Sequence, residues 1–237
     1  MPDLDGIVSS RKLVIAIDGP AASGKSTTAR AVARRLGYLH LDTGAMYRAV
    51  AAKVLRLGLD PTDAVAIELL LPGTVVDLRR NGDELTVLLD GRDVTEEIRS
   101  PGVTRAVSAV SSIPAVRDAM VRQQREMGRR GGVVLEGRDI GTVVFPDADL
   151  KVYMVAGLEA RARRRQRELD AAGIVSTLPV LQKEIEERDR YDSTRSTAPL
   201  RKAEDAVLLD TSNLTVEEQV DAVVGLVKRI MKGTPER

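Results

Sequence analysis

Gly19-Pro20-Ala21-Ala22-Ser23-Gly24-Lys25-Ser26 fills every fixed position of the phosphate-loop pattern G-x-x-x-x-G-K-[ST]. Its flanks give the match its meaning. Upstream, Leu13-Val14-Ile15-Ala16-Ile17 is a short apolar run of the kind buried in a parallel sheet, with Asp18 at its exit. Downstream, Ala29, Val32, Ala33 and Leu36 are spaced as the stripe of an amphipathic helix. Strand, glycine loop and helix in that order predict a nucleoside triphosphate site. Backbone N–H groups cradle phosphate oxygens, Lys25 reaches the β- and γ-phosphates, and the Ser26 hydroxyl faces Mg²⁺. The helix N-terminus adds its positive dipole end to the same anion site.

Composition narrows the rest. The 237 residues are enough for one α/β domain carrying an insertion. A formal net charge of +1 gives no bulk attraction to nucleic acid or membrane, and 2% aromatic residues leave few stacking platforms for single strands. The absence of cysteine excludes disulfides, cysteine zinc sites and thiol nucleophiles. No apolar run reaches a membrane span, and no signal-peptide order is evident, so a cytoplasmic protein is expected. No nucleic acid or membrane partner is expected. A monomer is the default, since no strongly apolar helix surface is left over.

Further along, Leu39-His40-Leu41-Asp42 reads as a second strand, followed by a helix from about Ala45 to Leu57. Then the pattern turns β-rich. Thr74 to Arg79 and Leu85 to Leu89 flank an Asn81-Gly82 segment, Asp90-Gly91 follows, and Val94 opens one more extended piece. Residues 73–100 are therefore expected to form a small antiparallel insertion. Helices resume over Val103 to Ser111 and Pro114 to Arg129, with strands at Val133-Val134-Leu135, Leu150 to Val155 and Ala206 to Leu209. Between the last two strands lie a basic helix, Leu158 to Ala171, and a charged one, Pro179 to Arg190. The final helix opens with a Thr215-x-x-Glu218 capping box and carries Val216, Val220, Val223, Val227 and Ile230 as its apolar stripe. Five strands with helical crossovers predict an α/β fold: a five-stranded parallel sheet of P-loop NTPase type, flanked by helices, with ligands at the carboxyl ends of its strands. The core is expected over 11–72 and 101–232, with a loose tail at 1–10.

The loop does not say what receives the phosphoryl group. The Asn-Lys-x-Asp of a switch GTPase is absent, and no acidic pair stands out at the end of a core strand. Arginines gather instead where such a sheet places ligands: Arg48 after the second strand, Arg138-Asp139 after the third, and Arg188, Asp192 and Arg195 in a segment read as irregular before Ala198-Pro199-Leu200. Guanidinium forks suit bidentate contact with phosphate, while any one of them could equally be a surface ion pair.

These pieces together resemble the bacterial cytidylate kinases, from about Lys12 to Ile230. The resemblance rests on IDGPAASGKST at 17–27, LDTGAMYRA at 41–49, LDGRDVTEEIR at 89–99, EGRDIGTVVFPDADLKVYM at 136–154 and RDRYDSTRSTAPL at 188–200. It implies phosphoryl transfer from ATP, with Mg²⁺, to CMP or dCMP. Gly19 to Thr27 then hold ATP, with Ser26 on the metal. Thr43, Tyr47 and Arg48 resemble the family's element beside the monophosphate, threonine standing where serine is common. Arg138 and Arg195 match arginines at the acceptor phosphate. Ser108, Arg117 and Asp139 match positions around the cytosine, and Arg188 and Asp192 positions around the sugar. Residues 73–100 resemble the family's subdomain on the monophosphate side, although a hairpin can also simply cover a sheet edge.

A CMP phosphate oxygen is already anionic, so transfer needs no general base. Positioning and charge stabilisation carry it. The expected catalytic cations are Lys25, Arg138 and Arg195, together with Arg161 and Arg165 of a short mobile lid at about 157–173, whose alternative is a solvated helix face. His40, between two leucines, reads as a core or edge histidine. Asp18 is either a turn carboxylate or a contact to a Mg²⁺-bound water. A UMP/CMP kinase, another P-loop small-metabolite kinase and a non-catalytic nucleotide-binding module are the rival readings.

Overall fold

The structure, a computed structural model, describes residues 12–81, 84–171, 173–195 and 197–232. The tail expected at 1–10, Arg11 at the start of the expected core, Gly82 of the predicted hairpin turn, Ala172 of the predicted lid and Ser196 lie outside the described residues. The chain divides into two compact units. One holds the residues up to His40, Gly128–Thr194 and those from Leu200 on; the other holds Leu41–Met127 and Arg195–Pro199.

In the first unit the sheet is built as its sequence pattern requires. Strand β1 (Val14–Asp18) leads through the loop into helix α1 (Lys25–Leu36), and β2 (Leu39–Asp42) follows. After the second unit, β6 (Val133–Gly137), β7 (Leu150–Val155) and β8 (Val207–Asp210) complete the order β2-β6-β1-β7-β8. β1 pairs in parallel with β6 and β7, and β7 with β8. The chain leaves β1 towards one edge and later returns to its other side, so the carboxyl end of β1 is a topological switch point. Register finishes the job: Asp18 lies opposite Gly137 on one side and Tyr153 on the other, so β1 and β6 end together while β7 runs on to Val155.

Burial drives this unit. Ile15, Ile17, Val134, Val152 and Met154 pack with Ala29, Val32 and Ala33 of α1 and with Val220, Val223 and Val227 of α8 (Val216–Met231). Each fully buried side chain of valine size or larger contributes roughly 1.5–3 kcal/mol relative to exposure. The Thr215–Glu218 capping box is formed in both directions. Val216, predicted on the apolar stripe, is instead 45% exposed at the first helical position. The buried place in that turn belongs to Gln219, whose amide oxygen accepts from Thr28 Oγ1 and whose nitrogen donates to Leu214 O. Helices α6 (Leu158–Ala171) and α7 (Leu178–Thr194) pack through a small cluster of Ala162, Leu181 and Ile185.

Helix α7 corrects one expectation. Arg188 and Asp192 lie within it and not in an irregular segment. The inward face of α7 runs from Leu181 and Ile185 to a buried Asp192, so polarity replaces hydrophobicity on a stripe that continues. Ser193 and Thr194 hydroxyls donate to the carbonyls of Asp189 and Arg190, holding the last turn.

The second unit contains helices α2 (Thr43–Arg56), α3 (Ala64–Leu70), α4 (Pro101–Ser112) and α5 (Pro114–Gly128) and a sheet of β3 (Val76–Asn81), β4 (Glu84–Leu89) and β5 (Arg92–Asp93). The antiparallel insertion is therefore formed, and it shares a unit with these helices. Asp90 and Gly91 join β4 to β5 with φ of 51° and 81°, the positive pair that a tight primed turn needs. The third strand precedes Val94, which was expected to open it. Thr95 then bonds to the Asp93 carboxylate and a single 3₁₀ turn, Glu97–Arg99, takes over. Helix α3 escapes periodicity because only Ile67 is buried on it, while Val65 and Leu69 are exposed. Among the described residues, no helix is long and apolar enough to cross a membrane.

Candidate active site

The loop between β1 and α1 adopts a conformation that demands its sequence. A Cβ on Gly19 (φ 151°) would lie 2.1 Å from Met154 O, and Gly24 caps α1 with φ 95°. Ala22 also takes a positive φ, 56°, a position of backbone strain for a residue with a Cβ. The loop carbonyls are tied back. Lys25 Nζ donates to Pro20 O at 2.7 Å, Arg161 Nη1 to Ala21 O at 3.3 Å, and Arg164 Nη1 and Thr211 Oγ1 to Ser23 O at 3.0 and 2.8 Å. With its carbonyls engaged, the loop has amide N–H donation to offer an anion.

Lys25 is buried, and burial pushes its ammonium down to about 7, helped by the nearby Arg138 charge and then that of Arg188, with Glu136 and Asp18 opposing. A cation so placed lacks full compensation until an anion arrives. Beside it, Ser26 Oγ donates to Glu136 Oε2 at 2.6 Å, and Glu136 Oε1 lies 2.9 Å from His40 Nε2. A hydroxyl and a carboxylate are oxygen donors suited to a hard divalent cation. Among the described residues no group of three or more His, Cys, Asp or Glu could hold a metal.

Asp18 resolves in an unforeseen way. Its two oxygens accept from Ile140 N–H at 2.8 Å and Gly141 N–H at 2.7 Å. Burial pushes the carboxyl up to about 6 against these two hydrogen bonds. The strand feeding the phosphate loop is thereby tied to the turn that carries Arg138 and Asp139. A π-helical turn, Ile140–Val144, follows Arg138 and Asp139 directly, with Phe145 N–H donating to Ile140 O at 2.7 Å. Such turns are frequent at functional sites. Arg138 Nε donates to Asp192 Oδ2 of α7 at 2.7 Å, and Asp139 is buried. Arg188 is exposed on α7.

Arg161 and Arg165 occupy different surroundings. Arg161 is buried against the loop and paired with Asp189 of α7 at 2.5 Å. Arg165 is half-buried and paired with Glu168 at 3.0 Å. The second α6 arginine on the loop is Arg164, which sequence reading passed over.

In the second unit, Asp42 caps α2 by accepting from Ala45 N–H at 2.9 Å, and its other oxygen takes Arg48 Nη2 at 2.9 Å. Thr43 and Tyr47 are buried on the first turns of α2. The buried Arg117 guanidinium of α5 stacks 5.4 Å from the Tyr47 ring centre, and its Nη1 reaches Ser111 O at 3.5 Å. Ser108 is half-buried on α4, and Arg195 Nε donates to Ala198 O at 2.7 Å. Glu136, Asp189, Arg164 and Thr211 were all missed. Only Glu136 left a sequence signal, as the lone carboxylate on the apolar strand Val133–Gly137.

A protein-family model described as cytidylate kinase matches residues 15–229. A protein named cytidylate kinase from Pelotomaculum thermopropionicum is 52% identical over 90% of this chain and 95% of its own length. One of the same name from Salinibacter ruber is 52% identical over 91% of this chain and 97% of its own length. A Synechococcus protein named bifunctional pantoate ligase/cytidylate kinase is 51% identical over 93% of this chain, which spans 46% of that larger protein.

Proposed function

The chain belongs to the cytidylate kinase family, and from that premise we propose that it transfers the γ-phosphoryl group of ATP to CMP or dCMP, giving ADP and CDP or dCDP. The observation that carries this is Asp18: one buried carboxylate joins the strand feeding the phosphate loop to the Arg138-Asp139 turn, so donor and acceptor groups share an anchor.

In this reading Gly19 to Thr27 hold the ATP phosphates, and Lys25 follows the γ-phosphoryl group as it moves. An anionic oxygen of the CMP phosphate attacks phosphorus in line with the departing ADP oxygen, and no side chain removes a proton. Arg138 and Arg195 neutralise the acceptor phosphate. Thr43, Tyr47 and Arg48 flank it, Ser108, Arg117 and Asp139 read the base, and Arg188 and Asp192 meet the sugar. Arg161 and Arg165 belong to the lid over the donor, with Arg165 reaching it only after α6 shifts. Ser26 is the residue that would hold Mg²⁺, which would supply neutralisation of the charge that develops on the donor phosphates. The protein is read as a monomer acting in the cytoplasm.

An acceptor panel tests the proposal. ADP release from ATP and Mg²⁺ is measured with CMP, dCMP, UMP, AMP and dTMP separately. Fast release with CMP and dCMP alone is the expected result. Equal rates with UMP would make it a UMP/CMP kinase, and ATP binding without acceptor-dependent ADP would leave a non-catalytic binder.

A further inference from the structure

The only histidine of the chain, His40, has no part in phosphoryl transfer as described. It stands on β2, and both it and Glu136 are buried, with side chains 9% and 4% exposed. Nε2 of His40 lies 2.9 Å from one Glu136 oxygen, and the other oxygen accepts from Ser26 Oγ at 2.6 Å. An ionised carboxylate only accepts, so Nε2 carries the proton. The three groups form one hydrogen-bonded chain from an edge strand of the sheet to the first turn of α1.

The Glu136 carboxylate has a competing partner. It lies close enough to Lys25 to favour the lysine's charged form. Glutamate has three side-chain torsions, and without the His40 bond the carboxylate could swing onto the ammonium. That ion pair would strip the Ser26 hydroxyl of its acceptor and neutralise the cation meant for phosphate. Lys25 Nζ instead bonds to Pro20 O and Ser23 Oγ.

We propose that His40 is a positioning residue, whose Nε2–H holds Glu136 on Ser26 and off Lys25, keeping the hydroxyl set for a divalent cation and the lysine free for the donor phosphates. This rests on the reading of Gly19 to Ser26 as the donor site, and it is independent of which nucleotide accepts.

The full chain is made as wild type, His40→Leu, His40→Met, His40→Gln, Glu136→Gln and the double variant His40→Leu/Glu136→Gln. ADP binding is measured by calorimetry with Mg²⁺ and with EDTA, and KM for ATP and CMP by turnover. His40→Leu is expected to weaken the Mg²⁺-dependent part of ADP binding about tenfold, the low end for losing a residue that orients a metal-site ligand. KM for ATP rises and KM for CMP stays. His40→Gln, which keeps a donor, recovers most of the loss. In the Glu136→Gln background, His40→Leu adds nothing, because the two act as one unit. His40→Met, closer to histidine in volume, replaces His40→Leu in the cycle where the leucine variant does not fold. Additive losses in the double variant, or equal rises in KM for both substrates, would overturn the assignment. A wild type that binds MgADP without phosphorylating any acceptor would sink the kinase reading, while the binding cycle still decides the role of His40.

Discussion

Lys25 is a cation held where solvation is poorest. Its ammonium is lowered from the ordinary 10.5 to about 7, so the charged form costs the fold stability below about pH 7, and the cost fades as pH rises towards 10.5. A bound triphosphate restores the charged form, so binding above pH 7 takes up a proton. Affinity for ATP should fall by up to about tenfold per pH unit above 7. Calorimetry at pH 8 in buffers of different protonation enthalpy should show the uptake, and Lys25→Arg, permanently charged, should lose it. Equal uptake in the two proteins would refute the buried-cation account. Asp18 gives the opposite slope. Its folded pKa, about 6 against an ordinary 3.8, means stability fully present below 3.8 and lost as pH rises through 6, on the order of 3 kcal/mol. Urea unfolding from pH 4 to 7 should therefore show a flatter profile for Asp18→Asn than for wild type; parallel profiles would contradict this. At this scale the loop was legible because its contacts are local. Glu136 was not, because its partners Ser26 and His40 lie 110 and 96 positions away.

Elements were legible where their ends are signalled nearby. Thr215 and Glu218 announce α8, and the structure closes that capping box on the same two residues. Helix α3 carries no buried stripe, and α7 hides its last turns behind Arg188 and Asp192, so a pattern that counts apolar residues stops short of both. The cap is expected to contribute about 1 kcal/mol. Thr215→Ala should accordingly lower the melting temperature by roughly 2–4 °C in a thermal unfolding scan. Helix α6 offers a finer test. Arg161 already touches the loop carbonyl of Ala21, whereas Arg165 is paired outward with Glu168. Arg161→Ala should raise KM for ATP. Arg165→Ala should lower kcat and leave that KM unchanged, the signature of a contact made only in the closed, reacting state. Unchanged kcat in Arg165→Ala would remove Arg165 from the reaction and α6 from the role of lid.

For the molecule as a whole, five parallel strands were readable from apolar runs and the helices between them, whereas the order β2-β6-β1-β7-β8 depends on pairings far apart in sequence. The division into units was also hidden. The β-rich stretch at 73–100 is visible by its turns, yet its unit reaches from Leu41 to Met127 and includes Arg195–Pro199, because α2 and α4 bury their apolar faces with it. The proposed roles divide between the two units in a way that can be measured. The phosphate loop, Glu136, Arg161 and Arg164 are all in the first unit, and Thr43, Tyr47, Arg48, Ser108 and Arg117 in the second. Ligands that bind only the folded state slow the opening of the segments they hold. MgADP should thus slow amide exchange across β1, α1 and the start of α6 and leave α2 and α4 as they were. CMP should slow exchange at the start of α2 and around residues 108–117. If CMP protects nothing between Leu41 and Met127, the acceptor residues assigned to that unit are wrong, whatever the protection around the loop.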